Sequence, residues 1–342
     1  MTDRKIDSEA APLVMGINAV ITAIVDGDPC VYTVSGDRAV PNHDADAFPA
    51  SDQPQNMPAA DDAALPFGPY DPVHHRTLEL GLRAFVAEQT PFSLGYVEQL
   101  YTFGDRGRFT KPEAGAPHFV SVGYLALTRA SQTDEARGGA WRPWSLYFPW
   151  EDRRGGPSPL IAQHIEPGLA KWVAQTKDKA RKARRQERVR VCFGLEGARW
   201  NDEQVLERFE LLYEAGLVGE ALRDQGLTRT GSRPLGPTMR FDHRRVLATA
   251  ISRLRAKIKY RPVIFELMEE GFTLTELQKT VEAIAGSSLH KQNFRRLLDQ
   301  TGLVEPTGKK IRGTVGRPAE QFRFRRDAIR DRLDLGMKLP RR

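Results

Sequence analysis

A short segment near the C-terminus concentrates side chains that can recognise nucleic acid. Gln292, Asn293, Arg295 and Arg296 lie within residues 288–298. An amide presents a donor beside an acceptor, and a guanidinium presents paired donors, so both groups match base edges and phosphate oxygens. If this segment is helical, we expect these side chains to contact bases or adjacent phosphates.

The surrounding elements predict a helix-turn-helix that would position them. Thr273 and Glu276 fit a capping box that opens a helix ending at Gly286. After a short turn, a second helix carries Phe294, Leu297 and Leu298 on one face and leaves the amide and guanidinium groups on the other. This is the arrangement of a recognition helix in a major groove.

The flanking segments predict a wing. Residues 242–258 carry a helical apolar stripe, with Asp242 as the expected N-cap, and a short apolar helix follows at 263–268. Strands at 303–305 and 321–325 flank a basic, glycine-punctuated hairpin tip at 306–318. From Lys291 to Arg326, ten Lys or Arg stand against three Asp or Glu, which supplies attraction to phosphates. The further cations expected at DNA are Lys291, Lys309, Lys310, Arg312 and Arg317.

An exposed arginine pair can also be an ordinary solvated helix face. The succession of helix, turn, helix, hairpin and basic tip favours nucleic acid. The net charge of +7 agrees with this, and 342 residues are too long for one typical domain.

Composition argues against several other classes. The two cysteines, Cys30 and Cys192, lie far apart, and the seven histidines show no metal spacing, so neither a disulfide framework nor a metal site is expected. No signal peptide and no apolar run of about 20 residues is present. We therefore expect a cytoplasmic protein with no membrane partner.

The N-terminal half predicts a mixed sheet covered by helices. A hairpin is expected from 17–25 and 30–34, a helix over 77–89, and strands over 96–103 and 119–127. An aromatic cluster occupies 141–150, and 35–70 is a long loop.

A basic connector follows the N-terminal half. It begins as a helix at 160, and from Lys171 to Arg190 nine basic residues face two acidic ones. A solvated helix and a second contact with the DNA backbone both fit this pattern. A further helix capped at Asn201 and stopped by Gly216 leads to the linker 229–237, which marks the domain boundary.

Several stretches resemble the Nudix-related transcriptional regulators of NAD metabolism, of the NrtR and NadQ type. They are GYVEQLYTFGDRGR (95–108), SVGYLAL (121–127), FEL (265–267), FTLTELQ (272–278), NFRR (293–296) and GRPA (316–319). The resemblance covers nearly the whole chain, and the NadQ branch is the closer one. It implies an α/β plus α+β fold, with an N-terminal Nudix-like mixed sheet with helices and a C-terminal winged helix-turn-helix. The expected parts are a disordered tail (1–12), a Nudix-like effector-binding domain (13–165), a helical connector and linker (166–237), the winged helix-turn-helix (238–330) and a basic tail (331–342).

The resemblance also permits a test for catalysis, because an active Nudix box holds magnesium with carboxylates clustered on one helix. Aligned on helix 77–89, the box positions become Tyr70, Arg76, Ala84, Phe85, Glu88, Gln89 and Pro91. Only Glu88 keeps a carboxylate. We therefore expect no diphosphate hydrolysis, no catalytic residue, no metal and no required cofactor.

A Nudix-like fold without its metal ligands can still bind a nucleotide. The resemblance implies an adenine-containing effector such as ATP, NAD or ADP-ribose. Candidate contacts are Arg106 and Arg108 for phosphates and one aromatic side chain among Tyr147, Phe148 and Trp150 for stacking. Equally, the arginines could solvate a turn and the aromatic residues could be core.

Together these expectations describe a ligand-responsive repressor of NAD biosynthesis genes, acting as a homodimer on an inverted-repeat operator of double-stranded DNA. One alternative is an active magnesium-dependent Nudix hydrolase with a nucleic-acid-binding appendage. Another is a DNA-binding scaffold with no effector.

Overall fold

A mixed seven-stranded sheet forms the N-terminal half. The computed structural model describes residues 13–35, 63–105, 118–130, 139–227, 234–311 and 318–325. The strands are β1 (Leu13–Val25), β2 (Asp28–Ser35), β3 (Ala63–Ala64), β4 (Phe67–Pro69), β5 (Tyr96–Phe103), β6 (His118–Leu127) and β7 (Gly139–Pro143). Their order is β3-β2-β1-β6-β5, with β4 beside β1 and β7 beside β2. β1 and β6 run parallel, and the other described pairs of this sheet are antiparallel.

The predicted N-terminal hairpin is confirmed. β1 and β2 are joined by the two residues Asp26 and Gly27, whose φ angles are 50° and 86°. Positive φ at both positions matches the right-handed twist of a two-residue hairpin, and Asp-Gly tolerates it. The turn therefore fixes the register in which β1 and β2 pair.

Helices cover both faces of the sheet. The predicted helix α1 (Leu78–Gln89) is confirmed, with Thr77 accepting a capping hydrogen bond from the amide of Leu80. Leu82 and Val86 pack with Ile21 on one face, while Val20 of the same strand belongs to the core on the opposite face. This alternation buries β1 on both sides.

A helical segment leads from the sheet towards the C-terminal half. It contains α2 (Trp144–Tyr147), a π-helical turn (Ile161–Ile165), α3 (Glu166–Ala174), α4 (Lys179–Phe193), α5 (Val205–Glu214), α6 (Gly219–Asp224) and α7 (His243–Lys257). The predicted helix at 201–216 begins later than expected. The Asn201 carboxamide accepts from the amide of Glu203 in a preceding turn, and Gln204 is the N-cap. Asp242 is the N-cap residue of α7 as predicted, but its side chain makes no capping hydrogen bond to the helix.

The C-terminal half has the predicted order of elements. A 3₁₀ turn (Val263–Leu267) precedes α8 (Leu274–Ala285), α9 (Lys291–Thr301), β8 (Val304–Ile311) and β9 (Ala319–Phe324). Both wing strands are longer than expected, and a bridge between Phe272 and Phe322 joins the wing to the residues before α8. The ring of Phe265 stacks on Phe324 with centroids 4.2 Å apart, which fixes the wing against the 3₁₀ turn.

Helix α7 lies between the two halves. Val246, Leu247 and Ile251 are at most 1 % exposed and belong to one core that reaches from the sheet to α8 and α9. The imidazole Nδ1 of His243 accepts from the amide of Leu65, 3.0 Å away. The domain division at 237 remains a prediction. Within the described ranges, no helix is long and apolar enough to cross a bilayer.

Candidate functional site

Helix α9 presents the predicted polar face. Phe294 and Leu298 are 3 % and 1 % exposed and attach the helix to the core. Gly302 ends it in the left-handed conformation, at φ 59°. The side chains predicted to contact DNA are all exposed: Lys291, Gln292, Asn293, Arg295 and Arg296. The structure thus brings all five predicted residues of this helix to one solvent-facing surface.

Asp299 was missed by sequence reasoning. It is exposed and lies four residues after Arg295 and three after Arg296, so it shares their face. A carboxylate can accept a hydrogen bond from the exocyclic amine of cytosine. Helical spacing from the arginine pair was the signal that could have found it.

Hydrogen bonds of side chains fix the start of α8 and the turn between α8 and α9. The predicted capping box is confirmed, with 2.7 Å from the Thr273 amide to the Glu276 carboxylate and 3.1 Å from the Glu276 amide to the Thr273 hydroxyl. At the C-terminal end of α8, the Glu282 carboxylate accepts a hydrogen bond from the backbone amide of Leu289 at 2.7 Å. The side-chain amide of Gln278 donates to the backbone carbonyl of Leu289 at 3.0 Å. These contacts set the angle at which α9 leaves α8.

The wing contributes further cations. Lys309 and Lys310 are exposed on β8, and Gly308 adopts φ 77° where the pairing register shifts. Arg312 and Arg317 lie outside the described residues. The wing strands are also joined by an ion pair of 2.7 Å between Arg323 and Glu305.

A buried ionic cluster lies next to the C-terminal end of α8. Glu151 is 4 % exposed, and its carboxylate oxygens lie 2.5 Å from Arg208 Nε and 2.6 Å from Arg255 Nη1. Arg208 Nη1 donates to the carbonyl of Cys192 on α4, and Arg255 Nε donates to the carbonyl of Ile284 on α8. Burial alone would raise the pKa of Glu151, but the two guanidiniums outweigh it and hold that pKa below its ordinary value. The ionised cluster therefore joins five separate segments: the residues after α2, and helices α4, α5, α7 and α8.

The next residues connect the helix-turn-helix to the sheet. The amide of Arg153 donates to the carbonyl of Gly286 at 2.7 Å, and the hydroxyl of Ser288 donates to the carbonyl of Arg154 at 2.8 Å. The Arg154 guanidinium pairs at 2.5 Å with Asp28, the first residue of β2. These contacts therefore couple the position of the β1–β2 hairpin to the position of the turn before α9.

Asp105, the last described residue before the candidate phosphate contacts, pairs with α7. Arg106 and Arg108 lie outside the described residues, but Asp105 immediately before them forms an ion pair with Arg245 of α7. Arg245 also pairs with Glu210 at 2.6 Å and lies over the ring of Phe103 at 5.4 Å. One arginine therefore connects this loop to the helix that enters the C-terminal half.

The candidate stacking aromatics are core residues in this conformation. Tyr147, Phe148 and Trp150 are each 0 % exposed, and Phe148 packs edge-on against Trp150 with centroids 5.9 Å apart. No face of these rings is open to a ligand. Stacking by Tyr147 or Trp150 stays a prediction that would require rearrangement.

Glu88, the one carboxylate retained in the box alignment, is exposed on α1. In the described parts of the chain, no three His, Cys, Asp or Glu side chains converge as metal ligands would.

Comparison with known proteins agrees with this architecture. Residues 264–324 match the family of NrtR DNA-binding winged helix domains. The ADPR responsive transcriptional repressor NtrR of Acinetobacter baylyi is 45 % identical over 85 residues, which are 25 % of this chain and 33 % of that protein. The chain thus matches about a third of the length of this curated relative.

Solved structures extend the likeness to nearly the whole chain. The crystal structure of Shewanella oneidensis NrtR complexed with a 27mer DNA superposes with a TM-score of 0.50 at 21 % identity, covering 92 % of this chain and 94 % of that one. Shewanella oneidensis NrtR crystallised without DNA gives 0.50 at 20 % identity, covering 92 % and 95 %. Residues 264–324 thus match the NrtR DNA-binding winged helix family, and the chain as a whole has a Nudix-like mixed sheet and a winged helix in a fold similar to that of NrtR.

Proposed function

We propose that this protein is a cytoplasmic transcriptional repressor of NAD biosynthesis genes whose affinity for DNA is controlled by an adenine nucleotide. The observation that carries the proposal is the exposed face of α9, held on a buried Phe294 and Leu298 inside a winged helix domain of the NrtR type. An amide, two guanidiniums and a carboxylate on one rigid helix face match the hydrogen-bonding edges of a major groove.

The protein acts as a homodimer on an inverted repeat. Two copies of α9 would enter successive major grooves about one helical turn apart, which a single winged helix cannot do. Arg295 and Arg296 would read bases or adjacent phosphates, while Lys309 and Lys310 contact the backbone from the wing. Arg312 and Arg317 complete the wing contacts in this proposal.

ADP-ribose is the first effector to test, followed by NAD and ATP, because the Acinetobacter relative is named as ADPR responsive. Arg106 and Arg108 are proposed to bind its phosphates. The diphosphate would bring negative charge beside Asp105 and weaken the pairing of Asp105 with Arg245, so α7 would shift relative to the sheet. An effector can move this equilibrium only if it binds the two arrangements with different affinity.

Two measurements test the proposal. Purified protein is titrated by fluorescence anisotropy against labelled duplexes taken from upstream of NAD biosynthesis genes, with and without each nucleotide. We expect retention of at least one duplex at low ionic strength and a changed Kd with one nucleotide. Failure to retain any of these duplexes would overturn the DNA-binding part.

A thermal-shift panel tests the effector separately, since a ligand at 100 times its Kd stabilises the folded state by about 2.7 kcal/mol. Arg106→Gln with Arg108→Gln should abolish the shift, whereas Arg76→Gln with Arg199→Gln, at exposed sites of the same charge, should not. If no adenine nucleotide changes the melting temperature, the result would favour the alternative of a DNA-binding scaffold without an effector. Magnesium-dependent turnover lost on Glu88→Gln would instead favour the hydrolase, which the names of the relatives disfavour.

A further inference from the structure

We propose that helix α4 is a second DNA-binding surface, which contacts the phosphate backbone flanking the site read by α9. This rests on the proposed function, because it assigns a further surface to the same partner. Neither the wing nor the recognition helix includes any residue of α4.

The first half of α4 is rich in basic side chains, and these side chains are exposed to solvent. Residues 179–184 are all exposed, and the buried side chains of the helix are Cys192 and Phe193 at its far end. Arg181, Arg184, Arg185 and Arg188 recur at spacings of three, one and three residues, so they lie along one side of the helix. That stripe is about 10 Å long, and its first two members, Arg181 and Arg184, lie within the exposed residues 179–184.

Internal ion pairs account only for the second half of the helix. Arg188 pairs with Glu214 at 2.7 Å, Arg190 pairs with Glu187 at 2.8 Å, and Arg185 lies over Trp172 at 3.8 Å. Five cations form no ion pair with any described residue; they are Lys177, Lys179, Arg181, Lys182 and Arg184. Their charges are therefore available to an outside partner.

The placement of these cations is unfavourable for the isolated helix. The first turn of α4 contains no acidic residue, although carboxylates stabilise a helix N-terminus and cations destabilise it. Asp178 provides the N-cap by accepting from the amide of Arg181 at 2.7 Å. Neighbouring phosphates would relieve this like-charge crowding.

The absence of an apolar stripe on residues 179–188 argues against a partner groove, since a helix binds such a groove through apolar side chains at helical spacing. The anchoring of α4 points to the same DNA that α9 reads. The carbonyl of Cys192 accepts from Arg208 at 3.1 Å, and Glu151 connects Arg208 to Arg255, which holds the end of α8. Both surfaces are thus fixed to one rigid cluster.

The test compares two full-length variants of equal net charge. The first carries Arg181→Gln, Lys182→Gln and Arg184→Gln, which keep helix propensity because the three residue types have similar values. The control carries Arg76→Gln, Arg129→Gln and Arg199→Gln at three exposed positions outside α4 and outside the winged helix-turn-helix. Binding to a duplex that the unmodified protein retains is measured from 50 to 200 mM salt.

Each phosphate contact contributes about 0.9 to the slope of log affinity against log salt, so losing three contacts lowers the slope by about 2.7. The advantage of the unmodified protein over the α4 variant should therefore shrink about 40-fold between 50 and 200 mM salt. Trimming the flanks of the duplex should remove the same advantage. Circular dichroism and urea unfolding verify that the α4 variant stays folded.

If the α4 variant keeps the Kd and salt slope of the control, the surface is not a DNA contact, while the proposed function stands. If the unmodified protein retains no duplex, the proposed function itself fails. If the α4 variant binds duplex normally but loses retention on phosphatidylserine vesicles that the control keeps, the surface belongs to a membrane and the proposal is overturned.

Discussion

Replacing Glu151 by glutamine removes the carboxylate that pairs directly with two buried guanidiniums. Arg208 and Arg255 are 0 % and 2 % exposed, and both contact this carboxylate. Breaking a buried ion pair by neutralising one partner costs about 3–5 kcal/mol, because the other charge is left uncompensated. Glutamine keeps one acceptor oxygen, so we expect about 3 kcal/mol. That is a large share of the roughly 5–15 kcal/mol that stabilises a folded protein.

The assay is urea unfolding at pH 7.5 followed by tryptophan fluorescence, with the midpoint and the slope fitted separately. Glu214→Gln is the matched control, because Glu214 also binds an arginine with both oxygens but is 42 % exposed. We expect the control to lose less than about 1 kcal/mol. A loss below 1 kcal/mol for Glu151→Gln, or equal losses for the two variants, would refute the assignment of the cluster as an ionised structural centre.

The pH dependence provides a second readout of the same cluster. The pKa of Glu151 is lowered in the folded protein from an ordinary value of 4.5, so the unfolded state binds more protons just below that value. The stability contributed by the ionised carboxylate is present above pH 4.5 and is lost as the pH falls through the lower, folded pKa. The difference between the unmodified protein and Glu151→Gln should accordingly persist at neutral pH and disappear in acid.

Three further predictions concern separate parts of the molecule. Arg295→Ala should weaken binding to the retained duplex by about 1–3 kcal/mol if its guanidinium forms a bidentate base contact, measured by anisotropy. Burial lowers the pKa of His243 to about 3 from an ordinary 6.5. The free energy of unfolding should therefore fall by about 2 kcal/mol between pH 6.5 and 5, because the unfolded state gains a proton there. Urea unfolding measures this change, and His243→Gln should flatten the dependence on pH. Thr273→Ala should cost about 1 kcal/mol through loss of the capping box, against no more than about 0.5 kcal/mol for exposed Thr275→Ala.

Each of these predictions has a contrary result. Unaltered affinity and salt slope in Arg295→Ala would remove that residue from the interface. An equal acid dependence in His243→Gln would mean that other groups titrate. Equal unfolding midpoints for the two threonine variants would mean that the cap of α8 contributes nothing beyond its propensity.

Elements with strong local signals could be predicted from the sequence. The Asp26-Gly27 turn specifies its hairpin because both residues tolerate positive φ, and the Thr273–Glu276 box specifies the start of α8 because its partners lie three residues apart. The polar face of α9 follows from helical period alone. Local chemistry decides these features, so one segment is enough to read them.

Features that depend on distant partners could not be predicted. Glu151 lies 57 residues from Arg208 and 104 from Arg255, and no periodicity connects such positions. The aromatic residues Tyr147 and Trp150 fit a stacking site and a core equally well by type, and only packing decides between them. Asn201 has the chemistry of an N-cap, yet the chain uses it in the turn before the helix.

Helix α7 bears on any attempt to exchange sensing and DNA-reading parts between proteins. Val246 lies so near Gly123 of β6 that a Cβ at that position would be 3.2 Å from it, and Leu254 and Ile258 are 0 % exposed in the core shared with α8. A graft beginning at residue 238 would carry this helix away from the sheet and bare its apolar side to water. A chimera that keeps α7 with its native sheet, or replaces both together, preserves the buried packing surface that the two halves share.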